Sequence, residues 1–331
     1  SVTISTNDAG DLVVRVTTCP DSAASARATA LFPTQALDYR LECLRALAQR
    51  WPDEIPDVCA QILARDQEEA LVLAWCVGHL QAGGTPVERP WELVGRISGG
   101  GFREAKVAEA ILSATDGCEF AGALAMVEPN TTGMRSLLIA GISACEDWQQ
   151  GEARGMNAGI ALRRLHAAGA ADALIQAVIG HQGRQASEDA MVALGALGDD
   201  SAVDFLKAQA LDRNAHTRDI NCVAAQALAL MGTPTALQAS LDIWRTSEDR
   251  EVQARAFRGL KVACGQDEAI WHTYGVVLPA WEPARMAPQE GRRLCRELLA
   301  QVDAASLDER RVSDLTSLLR YLDQQEGRAG G

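Results

Sequence analysis

The chain has 331 residues, with 44 acidic side chains against 31 Lys and Arg and a formal net charge of −13. That balance disfavours a phosphate-tracking surface, because nucleic-acid affinity rests on basic groups that neutralise phosphates, and it favours a partner with a basic surface. Aromatic residues make up only 5%, so Ala, Leu, Val and Ile must build the core, and no apolar run reaches the ~20 residues needed for membrane insertion.

At the start, "VTIST" and "DLVVRVTT" flank "NDAG", and β-branched runs around an Asn/Asp/Gly turn predict a short N-terminal β-hairpin. Such a hairpin is marginal alone, so it is expected to pack on the first helices as a cap or to offer a contact edge to a partner. The opening residues lack the basic region and apolar run of a signal peptide. Nine cysteines are scattered without a CxxC pair, which predicts reduced, mostly buried thiols and a cytoplasmic location.

Helical spacing begins with Leu37, Leu41, Leu44 and Leu47, which fall on one stripe. "WPDEIPDVCAQILARD" and "QEEALVLAWCVGHLQA" add two more helices, the first with Pro52 near its start. Between them and "FREAKVAEAILSA" lies an irregular stretch with Pro86, Pro90 and Gly99 to Gly101. Its "SGGG" has neither the Walker Lys-Ser/Thr ending nor the GxGxxG spacing, so it reads as a turn before a helix rather than as a phosphate cradle.

The second half repeats. Leu162, Leu194, Leu228 and Leu260 are separated by 32, 34 and 32 residues, and each precedes a turn glycine, Gly169, Gly198, Gly232 or Gly265. An apolar helix, a glycine turn and a second apolar helix at that period predict stacked helical pairs. Ala193-Leu194, Leu197-Gly198, Ala227-Leu228 and Met231-Gly232, with "SEDREVQARAFRGL" before the last unit, resemble the HEAT-like repeats of phycobilisome-lyase-type proteins. The resemblance implies an all-α fold, a HEAT-like α-solenoid or α-α superhelix, here with the short N-terminal β-hairpin. The expected organisation is a hairpin and lead-in at 1–33, irregular helical repeats at 34–150, regular HEAT-like repeats at 151–278, and a helical cap with a flexible tail at 279–331.

Chemical motifs are weak by comparison. Asp199 and Asp200 follow Gly198 at a turn, where an acid caps the next helix more readily than it converges on a second acid. His79, His166, His181, His216 and His272 form no HExxH and no close cluster with cysteine, so no metal or cofactor is expected. A GxSxG nucleophile is also missing, and no catalytic residue is assigned.

The favoured function is a non-catalytic protein-binding scaffold, an adaptor, chaperone or inhibitor, using an extended concave surface lined by second helices. Its partner-binding candidates are Lys207, Gln209, Gln238, Asp242, Trp244, Trp271 and His272, with the two Trp as aromatic anchors. The alternative is a nucleic-acid-repair enzyme or a bilin-lyase-like enzyme using the same groove. Arg pairs at 163–164, 292–293 and 310–311 are its only local support, and a groove with a continuous positive potential would favour it.

Overall fold

The computed structural model describes residues 2–6, 12–16, 22–99, 101–129, 133–144, 148–181, 185–212, 218–266, 286–305 and 309–329. They form two compact units, Ser1–Leu137 and Leu138–Gly331.

At the N-terminus, β1 (Val2–Thr6) and β2 (Leu12–Val16) pair antiparallel, from Val2 opposite Val16 to Thr6 opposite Leu12. The expected fold class is corrected here. A hairpin belonging to the helical array must lend its apolar face to a helix, but these strands pair with each other alone, and among the described residues no helix makes an extended contact with them. Two five-residue strands with unpaired outer edges cannot hold a core by themselves. What is corrected is the hairpin's place in the fold class: among the described residues no helix makes an extended contact with it, and the packed helical array starts at α1.

The first unit is built from α1 (Ala23–Ala30), α2 (Leu37–Arg50), α3 (Ile55–Leu63), α4 (Ala70–Ala82), α5 (Arg103–Ser113) and α6 (Gly117–Ala125). Ser22 caps α1 by accepting the Ser25 N–H at 3.3 Å. Single 3-10 segments at Pro52–Glu54 and Pro90–Arg96 lead into the helices that follow. Helix α4 is apolar on all sides, with Val72 through Gly78 buried, because α2, α3, α5 and α6 all pack around it. Its closest neighbour is α6. Gly78 lies against the Cys118 carbonyl and Gly122 against the Ala74 carbonyl, so a Cβ at either position would overlap backbone.

Beneath this crossing runs a buried ion pair. Arg40 of α2 lies within the Leu37/Leu41/Leu44 stripe, and its two terminal nitrogens each donate to Glu68 at 2.6 Å, while its Nε donates to the Ala30 carbonyl at 3.2 Å. Glu68 also accepts from Arg65 at 2.7 Å and from the Glu69 N–H at 2.8 Å. A buried charge is tolerable only when its partners are this complete. Burial pushes the Glu68 carboxyl up, but the hydrogen bonds from Arg40 and Glu69, and then Arg40's charge and the Arg65 bond, leave it below the usual glutamate range.

Helix α7 (Gly133–Ser143) spans the division between the units. The second unit continues with α8 (Trp148–Arg164), α9 (Ala170–Gly180), α10 (Gln185–Leu197), α11 (Val203–Leu211), α12 (Arg218–Met231), α13 (Pro234–Thr246), α14 (Arg250–Ala263), α15 (Pro288–Ala305) and α16 (Glu309–Ala329). Within it α8, α10, α12 and α14 pack in a row, and α9, α11 and α13 each rest on the first helix of the following pair. This is a repeat-like array of packed helices. Its turns are the four expected glycines: Gly169, Gly198, Gly232 and Gly265 have φ of 68°, 69°, 64° and 74°, a left-handed backbone that a side chain resists.

Row spacing is also set by glycine. On α8, Gly151, Gly155 and Gly159 recur every fourth residue and meet the Asp189 carboxylate, the Asp189 carbonyl and the Ala193 carbonyl of α10. On α10, the Cβ position of Gly195 falls 2.7 Å from the Ala227 carbonyl of α12. At the far end, Tyr321 of α16 donates its hydroxyl to the Gly265 carbonyl at 2.5 Å, and Arg311 donates to the Ser247 carbonyl at 3.1 Å. These bonds hold α16 over the last described turn and over the α13–α14 connection.

Candidate functional site

The second helices α11 and α13 lie side by side in the second unit. Each is started by local chemistry in the sequence. Asp199 accepts the Ser201 N–H at 3.0 Å and opens the 3-10 turn at Asp200–Ala202 that leads into α11. Thr233 caps α13, accepting the Ala236 N–H at 3.2 Å, with Pro234 in the first turn. Val203, Leu206 and Ala210 turn α11 to the core, while Ala236, Ala239, Ile243 and Trp244 do the same for α13. The polar residues left beside those stripes meet between the two helices.

Lys207 of α11 reaches Asp242 of α13 at 2.7 Å, with both side chains about one third exposed. Gln238, one turn earlier on α13, donates to the other oxygen of Asp242 at 3.0 Å, and Arg245 stands 3.8 Å from that same oxygen. The hydrogen bond from Lys207, opposed by partial burial and seconded by Gln238, holds the Asp242 carboxyl below the usual aspartate range. It is a permanent acceptor, suited to binding a donor and unsuited to general-acid work at neutral pH.

Of the other expected residues, Gln209 is half-buried, and its backbone carbonyl accepts from the Asn221 side chain of α12 at 2.6 Å. Trp244 requires a correction. It is 1% exposed, packed against Phe257 with ring centroids 5.5 Å apart and covered by the Arg311 guanidinium 5.8 Å from its ring centre. Its place one residue after Ile243 on the buried face of α13 makes it core and leaves no surface for a partner. Trp271 and His272 lie outside the described residues.

The residues considered for chemistry are placed structurally. Asp199 and Asp200 face different partners: the first caps the turn, and the second accepts from the Thr233 hydroxyl and, at 2.9 Å, from the Thr235 hydroxyl of the next turn. Asp200 thus ties one repeat to its successor. His79 stacks on Trp75 with centroids 4.7 Å apart, and burial lowers its proton affinity against the opposing pull of Asp116. The seven described cysteines are free thiols, buried except for half-buried Cys118. Among the described residues, no three His, Cys, Asp or Glu are grouped to hold a metal ion, and no helix is long and apolar enough to cross a membrane.

Two features escape the sequence patterns. The Arg40–Glu68 pair could have been suspected from a charge lodged inside an apolar stripe. Lys207–Asp242 joins residues 35 apart, about one repeat period, a separation that flags contact only once the repeats are stacked. Comparison of the chain with models of known protein families, with curated proteins and with solved structures finds no match.

Proposed function

We propose that the chain is a non-catalytic protein-binding scaffold of HEAT-like type and that the α11–α13 face is its contact surface. The observation that carries this is the Lys207–Asp242–Gln238 cluster, whose ion pair is about one third exposed and is held across two successive second helices. Stacked helical pairs offer such rows of residues to partners as preformed surfaces, with little ordering left to do on binding. Arg245 flanks the cluster, and Gln209, Trp271 and His272 complete the proposed contact residues. The net charge of −13 selects a protein partner with a basic surface, and the free thiols accord with a cytoplasmic setting.

The test is affinity capture from native lysate with the full chain, followed by identification of the partner and titration of the purified pair. Asp242→Lys and Gln238→Ala, which leave the core untouched, are expected to weaken that pair about tenfold or more, as loss of a charge at an interface does. Circular dichroism checks that both variants keep their helices. A partner that binds both variants as tightly as the parent chain sinks the assignment of this face.

A further inference from the structure

We propose that the strip between α9 and α11 docks an amphipathic helix of the protein partner, with the apolar side of that helix on Ile179 and Leu211 and its basic residues on the acids beside them. This rests on the scaffold reading above and names the kind of segment that the scaffold takes. Among the described residues four large apolar side chains are exposed, and two of them belong to this strip: Ile179 at 46% and Leu211 at 36%.

The repeat places them. Leu174 and Val178 of α9 are buried, as are Leu206 and Ala210 of α11 32 residues later and Ser240 and Trp244 of α13 a further 34 residues on. In that register Lys207, which reaches forward to α13, corresponds to Ile175 of α9. Asp242, which meets it from α13, corresponds to Ala208 of α11, and Arg245 to Leu211. The ion pair that closes α11 on α13 is therefore replaced, between α9 and α11, by half-buried Ile175 and exposed Ala208, with Ile179 one turn beyond the first and Leu211 three residues beyond the second. Those side chains can form no polar link, and α9 makes its extended forward contact with the 3-10 turn at Asp200–Ala202 rather than with α11 itself.

Charge and backbone chemistry choose the occupant. Asp204 takes the place that Gln238 has on α13 and flanks the strip, and Asp172 and Asp212 stand exposed on or next to the same two helices. The one cation of α9 and α11, Lys207, is already bonded to Asp242. An apolar strip with acids at its margins and no cation to spare attracts a basic segment. That segment is a helix because α9 and α11 use their own backbone groups internally. An extended chain laid on them would bury N–H and C=O groups with nothing to pair, whereas a helix brings its own bonds.

The test titrates the full chain into a fluorescein-labelled peptide of about 18 residues, long enough to hold a helix on binding, with leucines along one face and lysines along the other, and follows anisotropy. Saturable binding is expected, and a peptide of the same composition shuffled to remove the apolar face should bind about tenfold more weakly or worse. Ile179→Ser with Leu211→Ser should weaken the amphipathic peptide about tenfold or more through the lost apolar contact. Asp204→Asn should weaken it about two- to fivefold and lessen its salt dependence. Phe32→Ser, which removes an exposed apolar side chain from the first unit, should change nothing. Circular dichroism should be unchanged throughout, since every substituted side chain is exposed. Failure to saturate, equal binding of the shuffled peptide, or a double variant that binds like the parent chain overturns the strip. So does a dimer of the chain alone that the double variant dissolves, which would make a second copy the occupant. A native partner lost with Asp242→Lys but kept by the double variant leaves the α11–α13 face standing and removes this strip; one lost with the double variant but kept by Asp242→Lys does the reverse.

Discussion

Replacing Glu68 by Gln tests whether the first unit is held by its buried ion pair. The substitution keeps the shape but removes the charge that faces Arg40, itself 0% exposed. It also turns one oxygen that accepts at 2.6 Å into a donor directed at the guanidinium. At about 4 Å between charge centres and an effective dielectric near 20, the lost attraction is about 4 kcal/mol. Removing one member of a buried pair costs about 3–5 kcal/mol in comparable sites, and the two estimates agree. Urea denaturation, combined with hydrogen exchange of peptides covering α2 and α4, reads the loss where it should fall. Glu68→Gln should destabilise by about 3–4 kcal/mol, whereas Arg40→Met with Glu68→Leu should recover most of it, since no fully buried charge is then stranded and Arg65 is part-exposed. The pair should also weaken in acid. A carboxyl held below its unfolded value contributes fully above the usual glutamate range, and that contribution is lost as pH falls through its folded value. A cost below about 1 kcal/mol for Glu68→Gln, or a double variant no better than the single one, refutes the reasoning.

Other outcomes follow from the same contacts. Gly155→Val places a side chain on the Asp189 carbonyl and should cost about 3 kcal/mol or more through overpacking, read as a fall in the thermal midpoint. Gly180→Ala in α9, where an added Cβ meets nothing within 4 Å, should be neutral or stabilising by up to ~1 kcal/mol. Asp200→Ala releases Thr233 and Thr235 and should cost about 0.5–1.5 kcal/mol, with faster exchange of the amides at the start of α13. Burial pushes the Cys264 thiol from its ordinary 9.0 up to about 12 and Cys295 up to about 11. Both stay neutral when folded but ionise when unfolded, so the second unit should lose stability as pH rises above 9, and alkylation of both thiols at pH 8 should proceed only on unfolding.

The sequence by itself determined the local parts of the fold. Leucine spacing fixed which face of α2 and of the repeat helices turns inward, because a helix returns to the same side every three or four residues. The four glycines at 169, 198, 232 and 265 marked turns that need a left-handed backbone, and Asp199 after Gly198 read correctly as a helix start, whereas Asp200 instead bonds the start of α13. Helix α1 was less legible, since "AASARATA" has no strong apolar stripe and gains its buried residues only by packing on α2. Tertiary structure decided everything that depends on which faces meet. Trp244 lies one residue from an apolar position, and only the arrival of Phe257 and Arg311 makes it core. Glu68 precedes a helix and looks exposed until α2 brings Arg40 to it. Gly155 and Gly259 are the same residue in similar helices, yet one is where two backbones touch and the other lines a half-open apolar cleft, a difference set by the distance between neighbouring helices.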